Sequence, residues 1–384
     1  MVDVVSKLPH VGTTIFTVMS QRAHETGAIN LSQGFPNYDP PMRLKELLAH
    51  HANAGQNQYA PMMGVEGLRQ QIATKLQRSH GRAFDAQHEV TITLGATEAI
   101  FSAIQALVHP GDEVIIFDPS YDSYAPSVLL AGGKPVHIPL EPPSFTIDWQ
   151  RVRESINART RLILINSPNN PATTVLSTDD IRELANCVRN SSILIISDEV
   201  YEHIVFDGRR HVSLCGHAEL AERSVSVFSF GKTMHATGWR IGYAVAPANL
   251  TREIRRVHQF NTFTIATPLQ YAIADFLREA PSHNEELAGF YTQKRALFLD
   301  RLKGSRFRWV PTAGTFFQLL DYSGISSQSD MEFADTLIRD AGVASIPLSP
   351  FYAKPPAAKL CYLRFCFAKT DDTLAQAAER LCNL

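Results

Sequence analysis

Two stretches, LILI at 162–165 and ILII at 193–196, are uninterrupted apolar runs bounded by polar residues. A run with no polar face suits a strand covered on both sides, as in a mostly parallel sheet flanked by helices. Comparable strands are expected at Val90–Leu94, Glu113–Phe117, Pro135–Pro139, Arg161–Asn166, Ile193–Ser197, Ser224–Phe228 and Gly242–Val245. Helical patterns separate them, so residues 46–282 are expected to form a large α/β domain with a seven-stranded sheet and helices on both faces. Ligands of such sheets collect at the carboxyl ends of the strands.

The flanks differ. Residues 1–45 are rich in glycine and proline around INLSQGFPNYDPP and are expected to form an irregular arm, carrying short structured pieces, that joins a second, smaller domain. Helices are expected at Leu44–Ala52 and Val65–Gln77; in the latter Val65, Leu68, Ile72 and Leu76 recur at helical spacing. Residues 283–384 read as a small α+β domain. Helices are expected there at Leu287–Leu302, Asp330–Asp340 and from Asp371, with strand-like segments at Phe307–Val310, Thr315–Leu320 and Leu360–Ala368.

A formal net charge of −2 gives no electrostatic reason to expect nucleic acid or an anionic membrane as partner. The start, MVDVVSKLPHVGTTIF, lacks the apolar core of a signal peptide, and no apolar run approaches the roughly 20 residues that cross a bilayer. The odd set of five cysteines, scattered through apolar segments, suits a reducing cytoplasmic compartment. No metal is expected, because the histidines show no HExxH and no paired CxxC accompanies them.

The strand ends carry the chemistry. Lys232 follows Gly231 just past the strand Ser224–Phe228, within SFGKTMHATGWR, and Ser229, Thr233 and Arg240 supply anion-binding groups nearby. An amine ringed by such groups suits a covalently held, phosphorylated aldehyde; a solvated surface lysine is the plain alternative. Gly95-Ala96-Thr97 opens a helix after another strand, where free N–H groups and the helix dipole favour a phosphate, or where the chain simply turns. Tyr121 lies past Phe117, where its face could stack on a planar ring or where it is simply a core or surface tyrosine. Asn170 lies in SPNNP after a third strand, where it can donate or accept hydrogen bonds or simply form a turn before proline. Asp198 ends IISD, and burying its charge is costly unless a cation such as a protonated pyridine nitrogen meets it; Tyr201 is three residues on. The GKT at 231–233 is not a P-loop, because the glycine required five residues before Gly231 is Ser226.

In that order Asn170, Asp198 with Tyr201, and Ser229–Arg240 resemble the fold-type-I aminotransferases that use pyridoxal 5'-phosphate. The likeness extends through INLSQGFPNYDPP, NQYAPMMGVEGLR, TLGATEAI, DPSYDSY, SPNNP, ISDEVYEHIVF and YLRFCFAK. Within the family, LPHVGTTIF, QYAPM, DPSYDSY and IPLSPF are similar to the methionine aminotransferases of the kynurenine-aminotransferase group.

The resemblance implies transfer of an amino group from methionine or an aromatic amino acid to a 2-oxo acid, with a carbon–sulfur β-lyase on the same fold as the alternative. It implies that Lys232 tethers the cofactor and then moves the proton. Asp198 would pair with the ring nitrogen, Asn170 and Tyr201 with the phenolic oxygen, and Tyr121 would stack on the ring. The phosphate would rest on Gly95, Ala96 and Thr97, with Ser229 and Arg240 adding charge-assisted bonds. Tyr59 would reach the phosphate of a neighbouring subunit in a homodimer. Arg364 would clamp the substrate carboxylate, helped by Gly34 and Asn170. Ile15, Phe16, Phe351 and a neighbour's Phe263 would line the side-chain pocket. One departure stands out: Ala172 and Thr173 follow Asn170-Pro171, where many relatives carry a small residue and glycine.

Overall fold

The seven expected strands join in one sheet. The computed structural model describes residues 2, 4–356 and 359–384. In it the strands are β1 (Val90–Thr93), β2 (Glu113–Asp118), β3 (Lys134–Pro139), β4 (Thr160–Asn166), β5 (Leu194–Asp198), β6 (Ser224–Ser229) and β7 (Gly242–Val245). Their spatial order is β1-β7-β6-β5-β4-β2-β3. Only β7 runs against its neighbours; the remaining pairings are parallel.

Alternation along a strand explains the apolar runs. Ile163, Ile165 and Ile195 face one core, shared with Ile181 and Leu184 of the helix Thr178–Val188. Leu162, Leu164 and Ile196 face the opposite core, with Ile100 and Ile104 of a helix spanning Gly95–Leu107. Each of these buried side chains contributes roughly 1.5–3 kcal/mol relative to exposure, and a polar residue on either face would forfeit that. Two-sided burial thus dictates the sequence of β4 and β5.

From β2 the chain passes outward to β3 and then returns to β4 on the far side of β2. The direction of winding reverses between β2 and β4, which opens a crevice beyond their carboxyl ends. Tyr121 follows β2, and Asn166 ends β4. Asn166 lies in register with Asp198 at the end of β5, while Ser229 at the end of β6 pairs with Gly242.

A second sheet comprises β8 (Phe317–Asp321), β9 (Ile346–Pro347) and β10 (Tyr362–Cys366), antiparallel in the order β9-β10-β8. Leu287 and Phe298 of the helix His283–Arg301, and Leu374 and Ala378 of the helix Asp371–Cys382, pack with Phe365 of β10. The N-terminal segment enters this core through Met19, Ala23 and Leu31, and Ile29–Asn30 pairs in parallel with Val343–Ala344.

One local expectation sharpens and two change. A structured piece of the arm is a 12-residue helix, Ile15–Thr26, capped by Thr14, whose side chain accepts the Thr17 N–H at 3.3 Å, and closed by Gly27 at φ 67°. Phe307–Val310 is not a strand. It touches β8 only through an isolated bridge between Arg308 and Asp321, Val310 is 78% exposed, and Pro311 has no N–H to donate. The expected helix Asp330–Asp340 starts at a Ser329–Glu332 capping box but gives way after Thr336 to a π-helical turn, Leu337–Ala341, ended by Gly342 at φ 61°.

Candidate active site

Beyond the ends of β4, β5 and β6 lies a cavity of about 100 Å³. It gathers Ala96, Thr97, Tyr121, Asn170, Asp198, Tyr201, Ser229, Lys232 and Arg240, which are separated in sequence by up to 144 positions. The sequence singled out each of these. Asn166, Ile100 and Val200 also line it and were not foreseen as site residues.

Asp198 forms its floor. The residue is 5% exposed; Tyr124 Oη donates to Oδ2 at 2.5 Å and the Val200 N–H to Oδ1 at 3.2 Å. These two donors do not offset burial, which raises the carboxyl from its ordinary 3.8 to about 6. Tyr124 is a contact that sequence reading missed. Its only signal is the second tyrosine of DPSYDSY, whose ring meets Tyr121 edge-on at 5.7 Å. Asn166 was counted as a strand end, yet it ties the floor together. Its Nδ2 donates to the Asp198 carbonyl at 2.9 Å, and its Oδ1 accepts the Asn170 N–H at 2.7 Å.

Lys232 stands on a short helical turn, Phe230–Thr233, that follows β6 directly. Its Nζ donates to the Gly34 carbonyl at 3.2 Å and lies 5.5 Å from the Tyr201 ring and 5.4 Å from that of Phe316. Burial lowers this amine from 10.5 to about 8, with Arg240 and Arg364 pushing the same way and Cys366 and Asp198 opposing. A neutral lysine, the form that acts as nucleophile and base, is therefore accessible close to physiological pH.

A turn of unusual tightness faces the amine. Gly95 has φ +70°, and a β-carbon on it would lie 2.9 Å from Arg240 Nη2. On the other side, a β-carbon on Gly242 would come within 2.4 Å of the Phe228 carbonyl and 3.1 Å of the Ala96 nitrogen. Two glycines thus let the start of the Gly95–Leu107 helix press against the end of the sheet. The first N–H groups of a helix have no acceptor inside it. Glu98 braces the turn from below, accepting the Leu94 N–H at 3.1 Å and the Ser102 hydroxyl at 2.6 Å, and pairing with His258 at 2.9 Å. Neither Glu98 nor His258 was foreseen.

Arg364, on β10, has no exposed surface. One terminal nitrogen donates to Asn170 Oδ1 and the other to the Ser32 carbonyl at 2.8 Å, while Nε has no partner. Its guanidinium sits 3.8 Å from the Phe317 ring centre and 5.1 Å from that of Phe16. Burial lowers it from 12.5 to about 10. Among the described residues no carboxylate forms an ion pair with it, so this buried cation, bonded to the cavity-lining Asn170, has no counter-anion in contact. Gly34 leaves room for Phe317, whose Cζ would lie 2.7 Å from a β-carbon there. Phe16 continues the wall, 5.4 Å from Phe351 and 6.4 Å from Tyr121, and Ile15 is beside it in the chain.

Tyr59 and Phe263 are not part of this cavity. They meet each other edge-on at 5.4 Å and are 84% and 42% exposed.

The donor set fits pyridoxal phosphate. A helix N-terminus with Ser229 and Arg240 takes a dianion, Lys232 takes an aldehyde, and Asp198 lacks the cation that a protonated ring nitrogen supplies.

Comparison with known proteins agrees. Residues 26–381 match the family aminotransferase class I and II. Methionine aminotransferase of Escherichia coli is 52% identical over 379 residues, covering 99% of this chain and 98% of that protein. A probable N-succinyldiaminopimelate aminotransferase of Mycobacterium tuberculosis is 37% identical over 390 residues, covering 99% and 98%. A crystal structure from Escherichia coli, reported with a methionine aminotransferase function, superposes with a TM-score of 0.97 at 51% identity over all of both chains.

Proposed function

Because the chain belongs to the class I and II aminotransferases, enzymes dependent on pyridoxal phosphate, we propose that it takes the amino group of methionine or an aromatic amino acid and passes it to a 2-oxo acid. Arg364 carries this assignment: a buried guanidinium without a carboxylate partner stands ready for the substrate's own carboxylate. The β-lyase alternative is not favoured, since the relatives named above are aminotransferases.

Asp198 would hold the ring nitrogen, Asn170 and Tyr201 the phenolic oxygen, and Tyr121 the ring face. Gly95, Ala96, Thr97, Ser229 and Arg240 would hold the phosphate. When bound, the cofactor supplies an electron sink for the substrate Cα. Arg364, with Asn170 and the backbone at Gly34, fixes the carboxylate and so orients the Cα–H bond. Lys232 Nζ would take the Cα proton and hand it back on the far side of the transferred nitrogen, because its lowered pKa leaves the neutral amine accessible. The apolar wall of Ile15, Phe16 and Phe351 excludes water from that transfer and receives an uncharged side chain.

Residues 46–282 hold the cofactor in this scheme, while 283–384 and the arm 1–45 bring Arg364 and Phe16 over it. The enzyme acts as a homodimer, in which Tyr59 and Phe263 complete the site of the opposite subunit. It works in the cytoplasm, where its five cysteines, free in the structure, stay reduced; among the described residues no helix is long and apolar enough to cross a membrane.

The test is a panel of amino acids against 2-oxo acid acceptors. Methionine and phenylalanine should give parallel double-reciprocal lines and kcat/KM values about tenfold or more above those of aspartate and glutamate. Release of ammonia and pyruvate from sulfur amino acids without need of an acceptor would sink it.

A further inference from the structure

On the far side of Tyr121 lies a second, larger cavity of about 460 Å³, bounded by residues 10–15, 118–126 and 350–353. Tyr121 belongs to both cavities, and Phe16 joins them, packed between Tyr121, Phe351 and the Arg364 guanidinium. Phe16 thus lies between the guanidinium proposed to anchor the substrate carboxylate and the residues that border this space.

Two carboxylates line it, and they differ. Asp118 is engaged: His137 Nδ1 pairs with it at 3.0 Å and the Ala353 N–H donates to it at 2.8 Å. Asp122 is half-buried and, among the described residues, receives no hydrogen bond from any other residue. Burial raises its carboxyl, with Arg364 acting on it only as a distant positive charge. No lysine or arginine lines the cavity among the described residues.

We infer that Asp122 is a specificity-determining residue that bars a second carboxylate from the side-chain pocket, so that both amino donor and 2-oxo acid acceptor are monocarboxylic. The physical reason is that a like charge facing a bound anion, with no lysine or arginine among the cavity's lining residues and with His137 already paired to Asp118, disfavours the dicarboxylic substrate. The inference rests on the aminotransferase assignment and narrows its substrate class.

The experiment compares 2-oxoglutarate with 2-oxohexanoate, of similar length but without the second carboxylate, as acceptors for the wild-type holoenzyme, Asp122→Asn and Asp122→Ser. The wild type should favour 2-oxohexanoate by about 100-fold in kcat/KM, and either substitution should shift the ratio roughly tenfold toward 2-oxoglutarate. A wild type that uses both acceptors equally, or a ratio unchanged in both variants, overturns the inference. Thermal melting of the resting holoenzyme gives a readout without turnover. Succinate should raise the midpoint of the variants but not of the wild type, whereas equal stabilisation of all three would count against Asp122. A wild type that processes neither methionine nor an aromatic donor would instead refute the donor assignment, and the succinate result would still decide the role of Asp122.

Discussion

Asp198 illustrates how a single residue can be destabilised alone and suited to a ligand. Burial raises its carboxyl to about 6, so the fold favours the protonated form. In the cofactor-free protein the stabilisation from that proton is complete below about pH 3.8 and is lost as pH rises through about 6. Wild type should lose on the order of 3 kcal/mol relative to Asp198→Asn across that window, read by chemical denaturation at a series of pH values. Parallel pH curves would contradict the assignment of Asp198 as an unsatisfied acid. Saturation with cofactor should abolish the difference in slope, because a protonated ring nitrogen keeps the carboxylate charged. Asp198 and Lys232 were legible in sequence because each follows an apolar strand directly. Tyr124 and Asn166 were not, because their contacts to Asp198 run between different strand ends, at separations of 74 and 32 residues that no local pattern encodes.

At the scale of elements, the turn from β1 into the helix Gly95–Leu107 is the proposed seat of the phosphate. Gly95→Ala meets both a left-handed φ and the Arg240 guanidinium at 2.9 Å. We expect the cofactor dissociation constant to rise about tenfold or more, measured by fluorescence titration of the cofactor-free protein, with a loss of roughly 1–2 kcal/mol in stability. Unchanged affinity would place the phosphate elsewhere. Strands such as β4 and β5 were readable because two-sided burial leaves a continuous apolar run. The Ile15–Thr26 helix was hidden by the glycine and proline around it, and its Thr14 cap was the missed signal. Phe307–Val310 was misread because apolar composition alone does not supply a pairing partner.

The whole molecule brings the sheet proposed to hold the cofactor and the arginine proposed to hold the substrate together from separate cores, and the proposed homodimer would complete the site. Sedimentation should give twice the chain mass of 42.6 kDa. Tyr59→Phe should weaken cofactor binding by roughly tenfold, about the worth of one hydrogen bond to a charged group. With 84% of Tyr59 exposed and outside its own chain's cavity, such a loss requires a second subunit. A monomer with undiminished affinity after Tyr59→Phe would remove the shared site. The general architecture was thus visible in the order of motifs, whereas the exposed pair Tyr59–Phe263 gains meaning only from an assembled dimer. The most direct test of the central claim is to reduce the intact holoenzyme with borohydride and map the modified peptide by mass spectrometry. The account predicts a phosphopyridoxyl group on Lys232 and on no other lysine; modification of a different lysine, with Lys232 left free, would contradict it.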